Sequence, residues 1–137
     1  MALTFNKFRS WAADIGTTVN LSSDTIKFAL SNTAPVNTNT VLANITQITA
    51  ANGYSSGGSA CTGVTYTQSA GTATLAATAP TFTASGGNIG PFQYIVAYDS
   101  TVSGGPLIGW WDRGSALTLS DTDTYTPSCA SGIFTLA

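Results

Sequence analysis

The 137-residue chain reads as a mainly β protein, a jelly-roll-like β-sandwich of about eight antiparallel strands with a short N-terminal amphipathic helix. Three observations predict it. Short segments alternate apolar and polar residues at period two. Clusters of Gly, Asn, Ser and Pro cut these segments apart at short intervals. A clear helical spacing of aromatic residues occurs at one place, near the start of the chain. The length suits a single domain over 1–137, with residues 1–16 as the helix and 20–137 as the sandwich.

Taken in order, Leu3 to Ala13 places Phe5, Phe8, Trp11 and Ala12 at helical spacing with Lys7, Arg9 and Ser10 between them. The spacing predicts one amphipathic helix ending near Ile15-Gly16, where Gly can close it in the left-handed conformation. Thr25 to Leu30 puts Ile26, Phe28 and Leu30 on one face of a strand. A loop rich in Pro and Asn follows over Asn32 to Thr40, and Val41 to Ile48 fits a short helix better than a strand. Gly53 to Gly58 reads as an exposed turn or loop.

Further strands are expected at Cys61–Thr67, Thr72–Ala77, Thr81–Ala84, Phe92–Tyr98, Leu107–Asp112, Leu117–Leu119 with Thr124–Thr126, and Ile133–Leu136. Gly86-Gly87-Asn88, Ser103-Gly104-Gly105-Pro106 and Ser120-Asp121 supply turn chemistry between several of them. Phe92 to Tyr98 is the most apolar. Phe92, Tyr94, Val96 and Tyr98 fall on one face and Ile95 and Ala97 on the other, so this strand is expected at the centre of its sheet.

Hydrophobic residues make up 43% of the chain, which argues against disorder. Charged residues make up only 7%, against about 25% in an average domain. There is no Glu, and Ser and Thr supply over a quarter of the sequence. A net charge of −2 with Lys7, Arg9, Lys27 and Arg113 as the scattered cations cannot neutralise a row of phosphates, so nucleic acid is not an expected partner. No apolar run approaches the length of a membrane span, and Met1 to Phe5 lacks the pattern of a secretory signal. A surface of neutral hydroxyls offers little repulsion between copies, which suits a protein that works in an assembly.

Candidate chemistry is sparse. The absence of His removes Ser-His-Asp and Cys-His nucleophilic systems and His-ligated zinc. No Gly-rich loop opens a helix in a βαβ unit, so no nucleotide cofactor is expected. A glycosidase pair needs two acids facing each other about 5–10 Å apart; Asp99 and Asp112 flank the predicted Leu107 strand and could be close, and Asp121 and Asp123 share a loop. Each has a simpler reading: Asp99-Ser100 and Asp121-Thr122 as Asx turns, Asp112-Arg113 as a solvated ion pair. Asp121-Thr122-Asp123 offers too few oxygens for calcium, which takes about six or more. Cys61 and Cys129 lack metal-ligand spacing. A disulfide needs their Cα atoms within about 7 Å, and without a secretory signal two reduced thiols are the expected state. No catalytic, cofactor-binding or metal residue is therefore assigned, and the chain is not expected to be an enzyme. Trp110-Trp111 on a strand points one indole to each face, so one enters the core while the other anchors a protein interface, stacks on a sugar, or is covered by a loop or the N-terminal helix.

Met1 to Phe8, Asn20 to Leu30, Tyr94 to Asp99, Pro106 to Asp112 and Gly132 to Leu136 together resemble segments of small structural proteins of tailed bacteriophages. Within that group the chain is similar to jelly-roll capsid cement (decoration) proteins. The resemblance consists of strand patterns and carries no catalytic motif. It implies a virion protein on the outer capsid surface, present in the host cytoplasm during assembly, with the major capsid protein as partner and a homodimer as the unit. On that reading Phe5, Phe8, Trp11, Tyr54 in the Gly53–Gly58 loop, and the outward member of Trp110 and Trp111 are the expected contact residues. The alternative is a tail or fibre module that binds host-surface carbohydrate through exposed aromatic rings.

Overall fold

The computed structural model describes residues 4–129 and 132–136, and these form antiparallel sheets packed around a common core. In chain order the elements are β1 (Phe5–Lys7), α1 (Trp11–Thr17), β2 (Ile26–Ser31), a 3₁₀ turn (Leu42–Asn44), β3 (Ser59–Ala60), β4 (Thr62–Ser69), β5 (Thr72–Thr78), β6 (Phe82–Thr83), β7 (Ile89–Asp99), β8 (Leu107–Leu119), β9 (Thr124–Tyr125) and β10 (Phe134–Leu136). A larger sheet has the order β1-β8-β7-β2-β3, a smaller one β10-β5-β4, and β6 pairs with β9. The mainly β, sandwich-like architecture predicted from the alternating pattern is present.

β7 lies at the centre of the larger sheet, as its two apolar faces require. Its pairing with β8 is irregular between Phe92 and Tyr94. That irregularity shifts the side-chain alternation, so Phe92 joins Ile95 and Ala97 in the main core while Val96 and Tyr98 face the other way. The expectation of one shared face for Phe92, Val96 and Tyr98 is corrected accordingly. β8 is a single strand through Arg113 to Ala116, where two were expected. Its far end keeps pairing with β7 through Phe92↔Leu117 and Ile89↔Leu119.

The N-terminal segment also departs from expectation. Residues 5–7 are extended and pair with β8 in the register Phe5↔Trp111, Asn6↔Trp110 and Lys7↔Gly109. The helix begins only at Trp11 and runs through Gly16 to Thr17. A strand satisfies the backbone of residues 5–7 on the exposed edge of β8, which a helix there would leave open, and pairing overrides the local helical spacing. The aromatic stripe is consequently split. Phe5 and Trp11 pack on the main core, whereas Phe8 reaches a second one.

The main core lies between the two sheets and includes Ile26, Phe28, Leu30, Leu75, Phe92, Ile95, Trp111 and Phe134. The second, smaller core covers the opposite face of the larger sheet with Phe8, Ala29, Ile45, Val96, Tyr98 and Leu107. Its lid comes from Phe8 and the Leu42–Ile45 turn. The central part of the larger sheet is thus buried on both faces.

Candidate protein-contact surface

Most of the expected contact residues belong to the interior. Phe8, Trp11, Tyr54 and Trp111 are 1%, 6%, 3% and 4% exposed. Trp11 meets Phe134 edge-on at 4.6 Å, Trp111 meets Phe28 at 5.2 Å, and half-buried Phe5 lies 5.0 Å from Trp111. These rings fasten β1 and α1 to the sandwich, so their packing, worth about 2–3 kcal/mol per ring, is spent within the fold. The two tryptophans do point to opposite faces, Trp111 inward and Trp110 toward the second core. Phe8 lies against the half-buried Trp110 ring at 4.6 Å, so the indole is partly covered and partly exposed.

The Gly53–Gly58 loop is likewise held in place. The Tyr54 hydroxyl accepts a hydrogen bond from the Leu30 N–H at 3.0 Å and donates to Gln47 Oε1 at 2.8 Å. The Gly57 N–H donates to the same Oε1 at 2.7 Å, and the Tyr98 hydroxyl donates to the Gly57 carbonyl at 2.6 Å. Gly58 has φ +73°, and a Cβ there would collide with the Phe28 carbonyl oxygen, so glycine is required for this close approach. Burial pushes the Tyr54 hydroxyl up to about 12. An exposed Tyr54 was the wrong expectation because a loop over a sheet must satisfy its backbone by packing down.

The carboxylates act structurally. The Asp112 Oδ1 accepts from Gln93 Nε2 at 2.9 Å and from the Gly114 N–H at 2.7 Å. Asp121 and Asp123 accept from the Gly86 and Ser120 N–H groups at 2.9 and 3.0 Å, so Asp121 ties its loop to a distant one rather than closing the local Asx turn expected at Asp121-Thr122. Asp112 pairs with Tyr94, five residues up the strand from Asp99 and therefore about 16 Å away along it. Asp99 and Asp112 are thus no hydrolytic pair. Among the described residues no group of three or more metal-ligating side chains converges.

The real carboxyl pair is Asp24 with Asp99, joined because Ile26 pairs with Asp99 across β2 and β7. Asp99 is fully buried; its Oδ1 accepts from the Thr101 N–H at 2.8 Å and the Val102 N–H at 3.4 Å, and its Oδ2 has no donor. Burial first, and the Asp24 carboxyl second, raise Asp99 to about 6. The Asn20 N–H first, and Asp99 second, lower Asp24. No sequence spacing signals this pair, since the register of β2 on β7 creates it. Cys61 and Cys129 are both buried free thiols, and burial pushes Cys61 up to about 12.

The outer face of β10-β5-β4 is open among the described residues, with Thr65, Thr67, Ser69 and Thr135 exposed. The β4–β5 hairpin turns on Ala70 and Gly71, both at positive φ (51° and 84°), a two-residue loop whose twist suits antiparallel strands. Gln68 Oε1 braces the turn by accepting from the Gly71 N–H at 2.8 Å. The register Phe134↔Leu75 and Leu75↔Tyr66 turns these three side chains into the core. The next row, Thr135↔Thr74 and Thr74↔Thr67, therefore points out, together with Thr65, Ser69, Thr72 and Ala76. Between Lys27 and Asp99 the sequence holds no charged residue, and β10 adds none. The outcome is a neutral array of hydroxyls and methyls, suited to close contact with another protein surface because it carries no charge to desolvate. Composition pointed to such a surface, but only the strand register locates it.

Comparison with known protein families, curated proteins and solved structures finds no match to this chain.

Proposed function

We propose that this protein is a structural virion component, a cement protein that sits on the outside of a tailed-phage capsid and bridges neighbouring major capsid subunits. The observation that carries the reading is the uncharged threonine-rich outer face of β10-β5-β4, left bare on a protein whose aromatic side chains are occupied in its own interior. The likeness of its strand segments to phage decoration proteins agrees with it. Thr65, Thr67, Thr74 and Thr135 take over the contact role expected of Phe5, Phe8, Trp11, Tyr54 and the tryptophan pair.

The mechanism is mechanical. Each copy contacts adjacent shell subunits through an interface on the order of 800 Å² per partner. Once one contact has formed, the second is effectively intramolecular, so modest affinities combine into a clamp. Small side chains on a rigid sheet lose little conformational entropy on docking.

The test is the stoichiometry of the protein in purified particles, together with heat challenge of particles that lack it. A fixed ratio to the major capsid protein and earlier rupture of the deficient heads are expected. Unchanged rupture, or confinement of the protein to the tail, would overturn the proposal.

A further inference from the structure

We propose that the free edge of β4 is a self-association site, at which β4 of a second copy adds antiparallel about a two-fold axis through Tyr66 to make one continuous six-stranded sheet. The inference goes beyond the proposed capsid role and does not depend on it.

β4 is the outer strand of the smaller sheet, bonded to β5 on one side. The two-residue turn makes Ser69 and Thr72 a hydrogen-bonded pair, and alternation does the same for Thr67 with Thr74 and Thr65 with Ala76. The N–H and C=O groups of Val64, Tyr66 and Gln68 therefore point away from β5. Among the described residues no backbone group from elsewhere in the chain reaches them. The irregular pairing between Thr62 and Thr65 and the turn at Ala70-Gly71 bound this run on either side.

Such an edge specifies an extended strand as its occupant, and the features of β4 favour its own copy. Monomeric β proteins blunt their edges with shortness, charge, proline or a bulge, and on β4 the irregularity is confined to the Thr62–Thr65 end. The edges at β1, β3 and β10 are short, at 3, 2 and 3 residues, and Lys7 lies on β1. β4 has 8 residues, Thr-Gly-Val-Thr-Tyr-Thr-Gln-Ser, with neither charge nor proline. An axis through Tyr66 uses the whole unpaired run: Val64 meets Gln68 of the second copy, and Thr65 meets its Thr67, a favourable cross-strand pair. No like charges meet, because β4 and β5 carry none. A groove of about 360 Å³, lined by Ile15, Val19, Leu21 and Tyr66 together with the polar Thr17, Thr18 and Asn20, opens beside this edge and leaves room for the Tyr66 ring of the second copy.

Sedimentation of the full-length protein over a dilution series tests this. The wild type is expected to move reversibly from 14.0 kDa toward twice that mass. A Thr65→Lys/Thr67→Lys variant places lysines opposite each other across the axis and is expected to dimerise at least about tenfold more weakly. A Thr65→Glu/Thr67→Glu variant should behave the same way, and an equimolar mixture of the two should restore the dimer. Both positions are exposed, and an unchanged circular dichroism spectrum would confirm that the fold is intact. A wild type that stays monomeric, a lysine variant that dimerises normally, or a mixture that fails to recover would overturn the inference. A wild type that stays monomeric yet still decorates capsids would overturn it while leaving the proposed function standing, and uptake of an extended capsid-protein segment by that wild-type monomer would identify the occupant instead.

Discussion

Asp99 is a buried residue through which the stability of the fold is expected to depend on pH. Its Oδ1 is held by two backbone N–H groups, its Oδ2 has no donor, and the side chain interacts with the carboxyl of Asp24. A proton on Asp99 lets the two carboxyls share a hydrogen bond, and its loss buries a charge next to another acid. Raised from 3.8 to about 6, Asp99 binds its proton more tightly in the folded than in the unfolded state. This contribution to stability is complete below 3.8 and is lost as pH rises through about 6. Asp24, lowered by the Asn20 N–H and by Asp99, acts in the opposite sense and only at more acidic pH. The melting temperature is expected to fall as pH is raised from 3.8 to about 6, and Asp99→Asn, which mimics the protonated acid, is expected to remove that slope. An equal slope in the variant would show that the pair is not its source.

The cysteines give a second expectation at this scale. Cys61 and Cys129 are 7% and 8% exposed, and the Cys129 thiol donates to the Ala77 carbonyl at 3.3 Å. Burial raises both thiols, so little nucleophilic thiolate forms near neutrality. Labelling by iodoacetamide at pH 8 is expected to be slow in the native protein and rapid in denaturant. Equally fast native labelling would mean that these side chains are open to solvent.

Among the elements, β1 depends most on a single neighbour. It crosses β8 at Gly109, where an added Cβ would meet the Phe5 ring and come within 2.5 Å of the Asn6 carbonyl oxygen. Gly109→Ala should therefore displace β1 and cost about 1–3 kcal/mol. Urea denaturation reads the loss, and hydrogen exchange should show it concentrated in residues 5–7. If protection there is unchanged, the close crossing is not what holds β1. Trp11→Ala should also destabilise, by about 3–5 kcal/mol, because the ring belongs to the core rather than to an interface.

At the scale of the whole molecule, charge is confined to the two ends of the sequence, and the long stretch between Lys27 and Asp99 is neutral. Contacts made by the β10-β5-β4 face should then owe little to Coulomb attraction and be little screened by salt. Retention of the protein on capsids is expected to be unchanged from low to high ionic strength and to be lost on Thr74→Lys without a change in melting temperature. Release by salt alone would place the contact on one of the charged ends instead.

The sequence alone determined the β class, the central place of β7 and the neutral surface, because alternation, turn residues and composition are local properties. It also located β2, β5 and the turn chemistry closely. It misread residues 5–8, where helical aromatic spacing was overruled by pairing with β8, and it could not see the shift that moves Phe92 to the other face. The aromatic residues drew attention as contacts because the chain does not say which large side chains find partners. Phe134 for Trp11, Phe8 for Trp110 and Gln47 for Tyr54 are partners that only the tertiary structure supplies. The same holds for Asp24 with Asp99 and for the bare threonine face, since strand order and register decide which residues distant in sequence become neighbours and which face remains uncovered.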